Sequence, residues 1–456
     1  MLGLGLGLTN FGTRGGVSDV PDALSGASSL LKGEDGLAIA FEDQSIAIRD
    51  TATPANNIAS AGTVRNGALV GPGAKITYTS PSPKLCRKSD GTYGYRAQNL
   101  YLNSEAPANQ SITVVSGLPY IIAVTGTVSI TLSGAATGTV TAGNPITFTA
   151  SSGTLTCGST SGAGTVHLRS TIAAPDYIKT TSIPLYDLPY DWTGTYYYPL
   201  SELAATNLFL NSRAAATQNF SVTAQAYTLS FIGTGTITLS GASTAGPLVG
   251  TGANNRVSLT FTPSAGTLTL TVSGTMDLVQ LETGTVATSP IITAGATVTR
   301  AADNLSVPTS AFPINAAAVT MFVEASTPVV TISPDRTMLQ IDDGSANNRF
   351  VQYILAAGNV ATYVASGGAG QASITSGFTV VANTPVKHAL SAAANDFRPA
   401  INGTLGTPDT SGSMPVGPTT LRLGRNNTSG QLLGHIRKVM VLPRTSTNAE
   451  LQALTA

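Results

Sequence analysis

The chain has 456 residues, of which 10% are charged, with Lys plus Arg and Asp plus Glu balanced at 23 each. A charged fraction that far below the roughly 25% of ordinary soluble proteins, without a basic block, argues against a phosphate-binding partner such as nucleic acid. The most apolar stretch, "LPYIIAVTGTVSITL", is broken by Thr, Ser and Gly and carries a strand's period, so no membrane-inserted helix is expected.

The N-terminus, "MLGLGLGLTNFG", lacks the basic region and the apolar length of a secretory signal. On an extended strand Leu2, Leu4, Leu6 and Leu8 would share one face and the intervening glycines the other. Two readings stay open: a tail without fixed structure, or an attachment peptide that adds to a sheet or groove of a partner. We take 1–35 as the attachment segment and 36–90 as a β-rich connecting segment.

Short period-two runs such as "KITYT", "YTLSF", "RVSLTFT" and "TLTLTVS", separated by Gly, Asn and Asp turns, predict strands almost throughout. The expected fold class is all-β, with β-sandwich modules in series ending in a jelly roll. The organising signal is internal repetition. "NLYLNS" at 99–104 returns as "NLFLNS" at 207–212, "ITLSGA" at 130–135 returns at 237–242, and "FTASSGTLT" from Phe148 matches "FTPSAGTLT" from Phe261. A duplicated module of roughly one hundred residues follows, placed at 91–185 and 186–305.

Comparing the copies sorts several side chains. Cys157 aligns with Leu270 and reads as a buried, inert thiol; with Cys86 as the second cysteine, no disulfide framework is available. His167 aligns with Gln280 and Arg169 with Glu282, which assigns them to surface or turn positions. "YDWTGTYYYPL" at 190–200 holds the single tryptophan. Within it Tyr196 and Tyr198 repeat Tyr93 and Tyr95 and are assigned to packing, which leaves Tyr190, Trp192 and Tyr197 as candidates for ligand stacking.

From about 306 to the end the pattern is strand, turn, strand, closing with a helix that Thr447 and Glu450 would cap at box spacing. No Ser/His/Asp set can be nominated from His167, His388 and His435, and His435 alternates with Ile436 as a solvent-facing strand residue. Of the acids, only Asp187 and Asp191 lie near the aromatic cluster, so no catalytic residue is assigned and the chain is not expected to be an enzyme.

The stretch "LRLGRNNTSGQLLGHIRKVMVLPRTSTNAELQAL", with Gly424, Gly434, Ile436 and Val439, resembles the ending of laminin-G-like, or concanavalin A-like, domains. With "SDGTYGYRAQNLYLNS" and the junction "ETGTVATSPIITAGATVTRAADNLSV", residues 80–456 are similar to an arrangement found in bacteriophage and prophage virion fibres, spikes and appendages. That resemblance implies a structural virion protein, often a homotrimer, joined to other virion proteins and touching host-surface glycan. A capsid decoration protein and a polysaccharide depolymerase are the alternatives. No cofactor is implied, although some laminin-G-like domains hold calcium through loop carboxylates. "IDDGSANN" offers Asp342, Asp343 and Asn347, for which an Asp-Gly hairpin turn is the preferred explanation.

Overall fold

The structure, a computed structural model, describes residues 31, 35–41, 45–49, 58–60, 77–79, 84–173, 175, 177, 180, 185–186, 190–331 and 333–456. The fold is all-β, as expected, and divides into two compact units. One consists of Thr79–Tyr196 and Glu202–Asp303; the other gathers described residues of Met1–Tyr78 with Tyr197–Ser201 and Asn304–Ala456. The leucines Leu2, Leu4, Leu6 and Leu8 lie outside the described residues.

The first unit contains the two copies. In copy 1, Gln110–Thr113, Thr154–Ser161, Ser129–Gly134 and Gly138–Thr141 form one sheet, and Ile146–Thr149, Pro119–Val124 and Val166–Ser170 the other. Copy 2 repeats both orders, with Gln218–Val222, Gly266–Ser273, Thr236–Gly241 and Leu248–Val249 in one sheet and Gly252–Phe261, Tyr227–Gly233 and Met276–Thr283 in the other. Alternation sets the inner face: in Pro119–Val124, Tyr120, Ile122 and Val124 are buried while their neighbours are half-buried. Tyr120 stacks on Phe148 and Tyr227 on Phe261, so each copy closes around the same aromatic pair.

The repeated "NLxLNS" motif is a hydrogen-bonded clasp. Asn99 Nδ2 donates to Val166 O at 2.9 Å, and its Oδ1 accepts from the Tyr101 and Leu168 amides at 3.2 and 3.0 Å. Asn207 does the same with Val279 O, Phe209 N and Leu281 N at 2.9, 3.0 and 3.1 Å. The motif's Ser104 and Ser212 exchange hydrogen bonds with Thr180 and Thr293, Thr180 N to Ser104 Oγ at 2.9 Å and Thr293 N to Ser212 Oγ at 2.9 Å. Asn103 and Asn211 turn the chain with φ of 49° and 53°, a left-handed conformation that asparagine adopts more readily than most residues. These polar side chains are repeated because each one satisfies backbone groups that the crossing segments leave unpaired.

Two expectations change here. Gln280 and Glu282 are fully buried rather than at the surface. Glu282 accepts from Gln280 Nε2 at 2.6 Å and from Thr288 N and Oγ1 at 2.9 and 2.7 Å. Burial raises its pKa, with Arg256 and these donors opposing the rise. His167 and Arg169 are half-buried, and His167 Nε2 lies 2.9 Å from Gln98 O. Alignment missed the burial because copy 2 fills with a polar network what copy 1 leaves partly open. Cys86 and Cys157 are buried and free, and burial pushes both thiols up to about 12.

The second unit is a two-sheet sandwich. Gly434–Leu442 pairs along one edge with Ala318–Ser326, which continues through Val386–Ala393 and Asp396–Ile401. Two distant pieces of chain share its other edge: Gly36–Ala40, with Leu37 opposite Val441, and Tyr197–Ser201, with Leu200 opposite His435. Residues 36–90 are therefore not simply a connector, since Gly36–Ala40 extends this sheet and Ser45–Arg49 and Ile58–Ser60 carry it further. A nine-residue strand with an open edge is a template for unwanted pairing, and the two insertions cover it. Tyr198 is buried here, under the Arg437 guanidinium at 4.5 Å, whereas Tyr196 stays exposed. The two tyrosines paired with Tyr93 and Tyr95 by sequence thus do not form one packing strip. Gly424, at φ +68°, admits Ser201, whose Oγ donates to Gly424 O at 2.6 Å; a Cβ on Gly424 would lie 2.6 Å from the Ser201 Cβ.

The helix Asn448–Thr455 has the expected capping box: Glu450 N donates to Thr447 Oγ1 at 3.2 Å and Thr447 N to Glu450 Oε2 at 2.6 Å. Among the described residues no helix is long and apolar enough to cross a membrane.

His388 is fully buried between the sheets, its Nε2 3.0 Å from Thr362 Oγ1, and burial lowers its pKa from 6.5 to about 3. The unfolded chain binds this proton near pH 6.5 and the folded chain only near 3, so the stability held above pH 6.5 drains away as pH falls through that window. A loss of about 2 kcal/mol from this group is expected between pH 7 and 5. Urea melts over that range should show it, and His388→Gln should remove that pH dependence.

Candidate functional site

The sheet of the second unit that contains Arg336–Asp342, Arg349–Ile354, Asn359–Ser366 and Thr420–Leu423 has one face on the core, where Gln352 Nε2 donates to His388 O of the opposite sheet at 3.1 Å. Alternation therefore sends Arg349, Val351 and Tyr353 to the outer face. Register adds their neighbours: Arg349 opposes Asp342, Val351 opposes Gln340 and Tyr363, and Gln340 opposes Arg422.

Asp342 is buried and its carboxylate is fully engaged. Arg422 reaches it with Nε at 2.7 Å and Nη2 at 3.1 Å, Gln340 Nε2 donates at 2.7 Å and Gly344 N at 2.8 Å. The Arg349 guanidinium instead lies over the Tyr363 ring, 5.4 Å from its centroid, and forms no ion pair among the described residues. Arg425 donates to the carbonyls of Asn426 and Asn427 at 2.8 and 3.4 Å; burial, and then Arg422 beside it, lowers its pKa. Of these three guanidiniums only Arg422 engages the carboxylate. Tyr353 and Tyr363 are half-buried on the same face, and burial, with Asp335 and Tyr363 nearby, raises the Tyr353 pKa so that its phenol stays a hydrogen-bond donor. Gly370 packs close against Tyr363; a Cβ there would sit 3.1 Å from the phenol oxygen.

Aromatic rings beside a guanidinium without a carboxylate suit a polar ring ligand that offers a C–H face to Tyr and hydroxyl or carboxylate oxygens to Arg. Acid–base work is a different matter. Asp342 already accepts four hydrogen bonds, which fill the acceptor sites of its carboxylate.

The loop carboxylates do not suit calcium. Asp343 Oδ1 accepts from Ser345 N and Oγ at 2.8 and 2.6 Å and its Oδ2 from Asn348 Nδ2 at 2.8 Å, while a cation at Asp342 would have to displace Arg422. Asn347 is exposed, and its amide N donates to Ser345 Oγ at 3.0 Å. Among the described residues no cluster of His, Cys, Asp or Glu is arranged to hold a metal. The Asp-Gly turn accounts for these residues.

Of the aromatic candidates, Tyr190 and Trp192 lie in the strand Tyr190–Trp192 of the first unit and Tyr197 in Tyr197–Ser201 of the second, and their side chains lie outside what the structure describes. Between them, Asp191 Oδ1 accepts from Arg87 N at 2.6 Å. Sequence reading passed over Arg349, Tyr353 and Tyr363. The first two were legible in "RFVQY" by period two; Tyr363 joins them only through strand register.

The class defined by fold and site is an all-β chain of serial sandwiches with an aromatic, arginine-bearing sheet face. No protein-family model matches the chain, and neither does any curated protein sequence. Among solved structures it is similar to the CBM40 domain of Ruminococcus gnavus IT-sialidase bound to α2,3-sialyllactose, at 19% identity over 30% of this chain and 82% of that one, TM-score 0.26. It is also similar to NanB sialidase from Streptococcus pneumoniae, at 11% identity over 31% and 25%, TM-score 0.28. A third, a SAP-like pentraxin from Limulus polyphemus, shares 8% identity over 31% and 70%, TM-score 0.25. Likeness this slight carries no functional argument.

Proposed function

We propose that the chain is a structural protein of a bacteriophage virion, a fibre, spike or appendage component that adheres to host-surface glycan without cleaving it. The observation that carries adhesion is Arg349, stacked on Tyr363 and without an ion-pair partner among the described residues, on a face that also presents Tyr353. The virion assignment rests on the resemblance of residues 80–456, which include the duplicated, clasped sandwiches. Residues 1–35, with Leu2, Leu4, Leu6 and Leu8, attach the chain to other virion proteins, and homotrimerisation turns weak glycan contacts into avidity. Since Gly36–Ala40 belongs to the sandwich with the adhesive face, the attachment segment leads directly into that sandwich, not into a separate connector.

Arg349→Ala should weaken glycan binding about 10- to 100-fold, the effect of losing a charge-assisted hydrogen-bond pair, with the melting curve unchanged. Titration calorimetry against host polysaccharide checks it, and EDTA should leave the wild-type affinity as it is. Labelled-antibody microscopy of particles tests the virion assignment, and label absent from particles would refute it.

A further inference from the structure

The first unit holds a cleft of about 340 Å³ with walls from Leu85, Ile172, Ile232, Met276, Leu278 and Ile292. Its mouth is polar, with Thr92, Asn254 and the pair Arg213–Asp277. Comparing the copies shows that the sandwich itself does not require these walls. Where copy 2 has Ile232 and Leu278, copy 1 has Thr125 and Thr165, whose hydroxyls bond to each other at 2.8 Å in an exposed position. Where copy 2 has Arg213 and Asp277, copy 1 has Glu105 and Gly164.

Two features mark the cleft as more than a packing gap. Leu278 stands at φ +52°, a left-handed conformation that a branched side chain rarely adopts, and Asp277 Oδ1 holds it there by accepting from Leu278 N at 2.7 Å. The same carboxylate is gripped by Arg213, Nε to Oδ1 at 3.2 Å and Nη2 to Oδ2 at 3.1 Å. Protein interiors normally close such voids, and this one has the size of a small-molecule site, roughly 300–1,000 Å³.

We propose that this cleft binds a short aliphatic chain carrying an uncharged polar head group. The aliphatic walls take the chain. The head is uncharged because Arg213, the cation at the mouth, is already neutralised by Asp277; Thr92 Oγ1 and Asn254 Nδ2 donate to Asp90 at 2.7 and 3.3 Å, which leaves the Thr92 and Asn254 oxygens to accept from hydroxyl or amide groups. This site is independent of the adhesive face.

Titration calorimetry of the full chain with octyl glucoside below its micelle concentration, and with octanoate, tests the proposal. Octyl glucoside should bind saturably, and octanoate at least about tenfold more weakly. Thr234→Trp, at an exposed turn on the cleft wall, should block both, with circular dichroism unchanged. Asp277→Asn frees Arg213 and should raise octanoate affinity by at least about tenfold. Absence of octyl glucoside binding, equal binding by Thr234→Trp, or octanoate affinity indifferent to Asp277→Asn would each overturn it.

Discussion

Glu202→Ala is expected to cost the protein about 3–5 kcal/mol, the largest single effect outside the hydrophobic cores. Glu202 sits in a buried cluster of four charges within the first unit. Lys84 Nζ lies 2.9 Å from Glu202 Oε2 and 2.6 Å from Asp303 Oδ2, and Arg300 Nη2 lies 3.3 Å from Glu202 Oε2. Glu202 also accepts from Ser289 N at 2.8 Å, and its own amide donates to Asp303 Oδ2 at 2.8 Å. Burial pushes the Glu202 carboxyl up, but Lys84 and Arg300 outweigh it and hold the group at about 2. Burial lowers the Lys84 pKa in turn, and Asp303 and Glu202 more than reverse that. Such a cluster adds little over an apolar core of the same shape, yet removing one member strands the others. Without Glu202, Lys84 and Arg300 each lose a carboxylate partner, at 2.9 and 3.3 Å, and both lean on Asp303. Urea denaturation measures the loss. The wild-type contribution is present above pH 4.5 and disappears as pH falls toward 2, so the gap between wild type and variant should close over that range.

The clasp asparagines come next. Asn99→Ala leaves two amides and one carbonyl without partners inside copy 1, a loss of about 3 kcal/mol at 1–3 kcal/mol for each orphaned group after partial relaxation. Asn207→Ala should cost more, since Asn207 Nδ2 also donates to Ile291 O at 2.8 Å. The double variant should lose nearly the sum, because the two clasps share no partner. Denaturant midpoints of the three variants give the answer; equal and small losses would mean that water replaces the clasp.

These two groups also show what was legible in the sequence. "NLxLNS" stood out because both copies must solve the same backbone problem with the same side chains. Strand alternation, the duplication and the Thr447–Glu450 cap were legible for the same reason, as each is a local pattern with a local cause. Long-range choices were not. Nothing in "GLAIA" says that Gly36–Ala40 will pair with Gly434–Leu442, and nothing in "GTYYY" says that Tyr198 will leave the copies for the other unit, because an edge strand accepts any segment of suitable alternation. The charge cluster was invisible for a related reason: Lys84, Glu202 and the Arg300–Asp303 pair lie apart in the chain and meet only through the fold. At the candidate site, "RFVQY" announced a face carrying Arg349 and Tyr353. That Asp342 would be taken by Arg422, leaving Arg349 to Tyr363, depended on register between four strands.

The most direct measurement of the central claim, adhesion without cleavage, follows purified full-length chain over immobilised host-surface polysaccharide while new reducing ends are assayed in the effluent. The expected result is saturable binding, weakened at least about tenfold in Arg349→Ala and Tyr363→Ala, with no reducing ends released. Release of reducing ends, or wild-type binding that both variants retain in full, would contradict it.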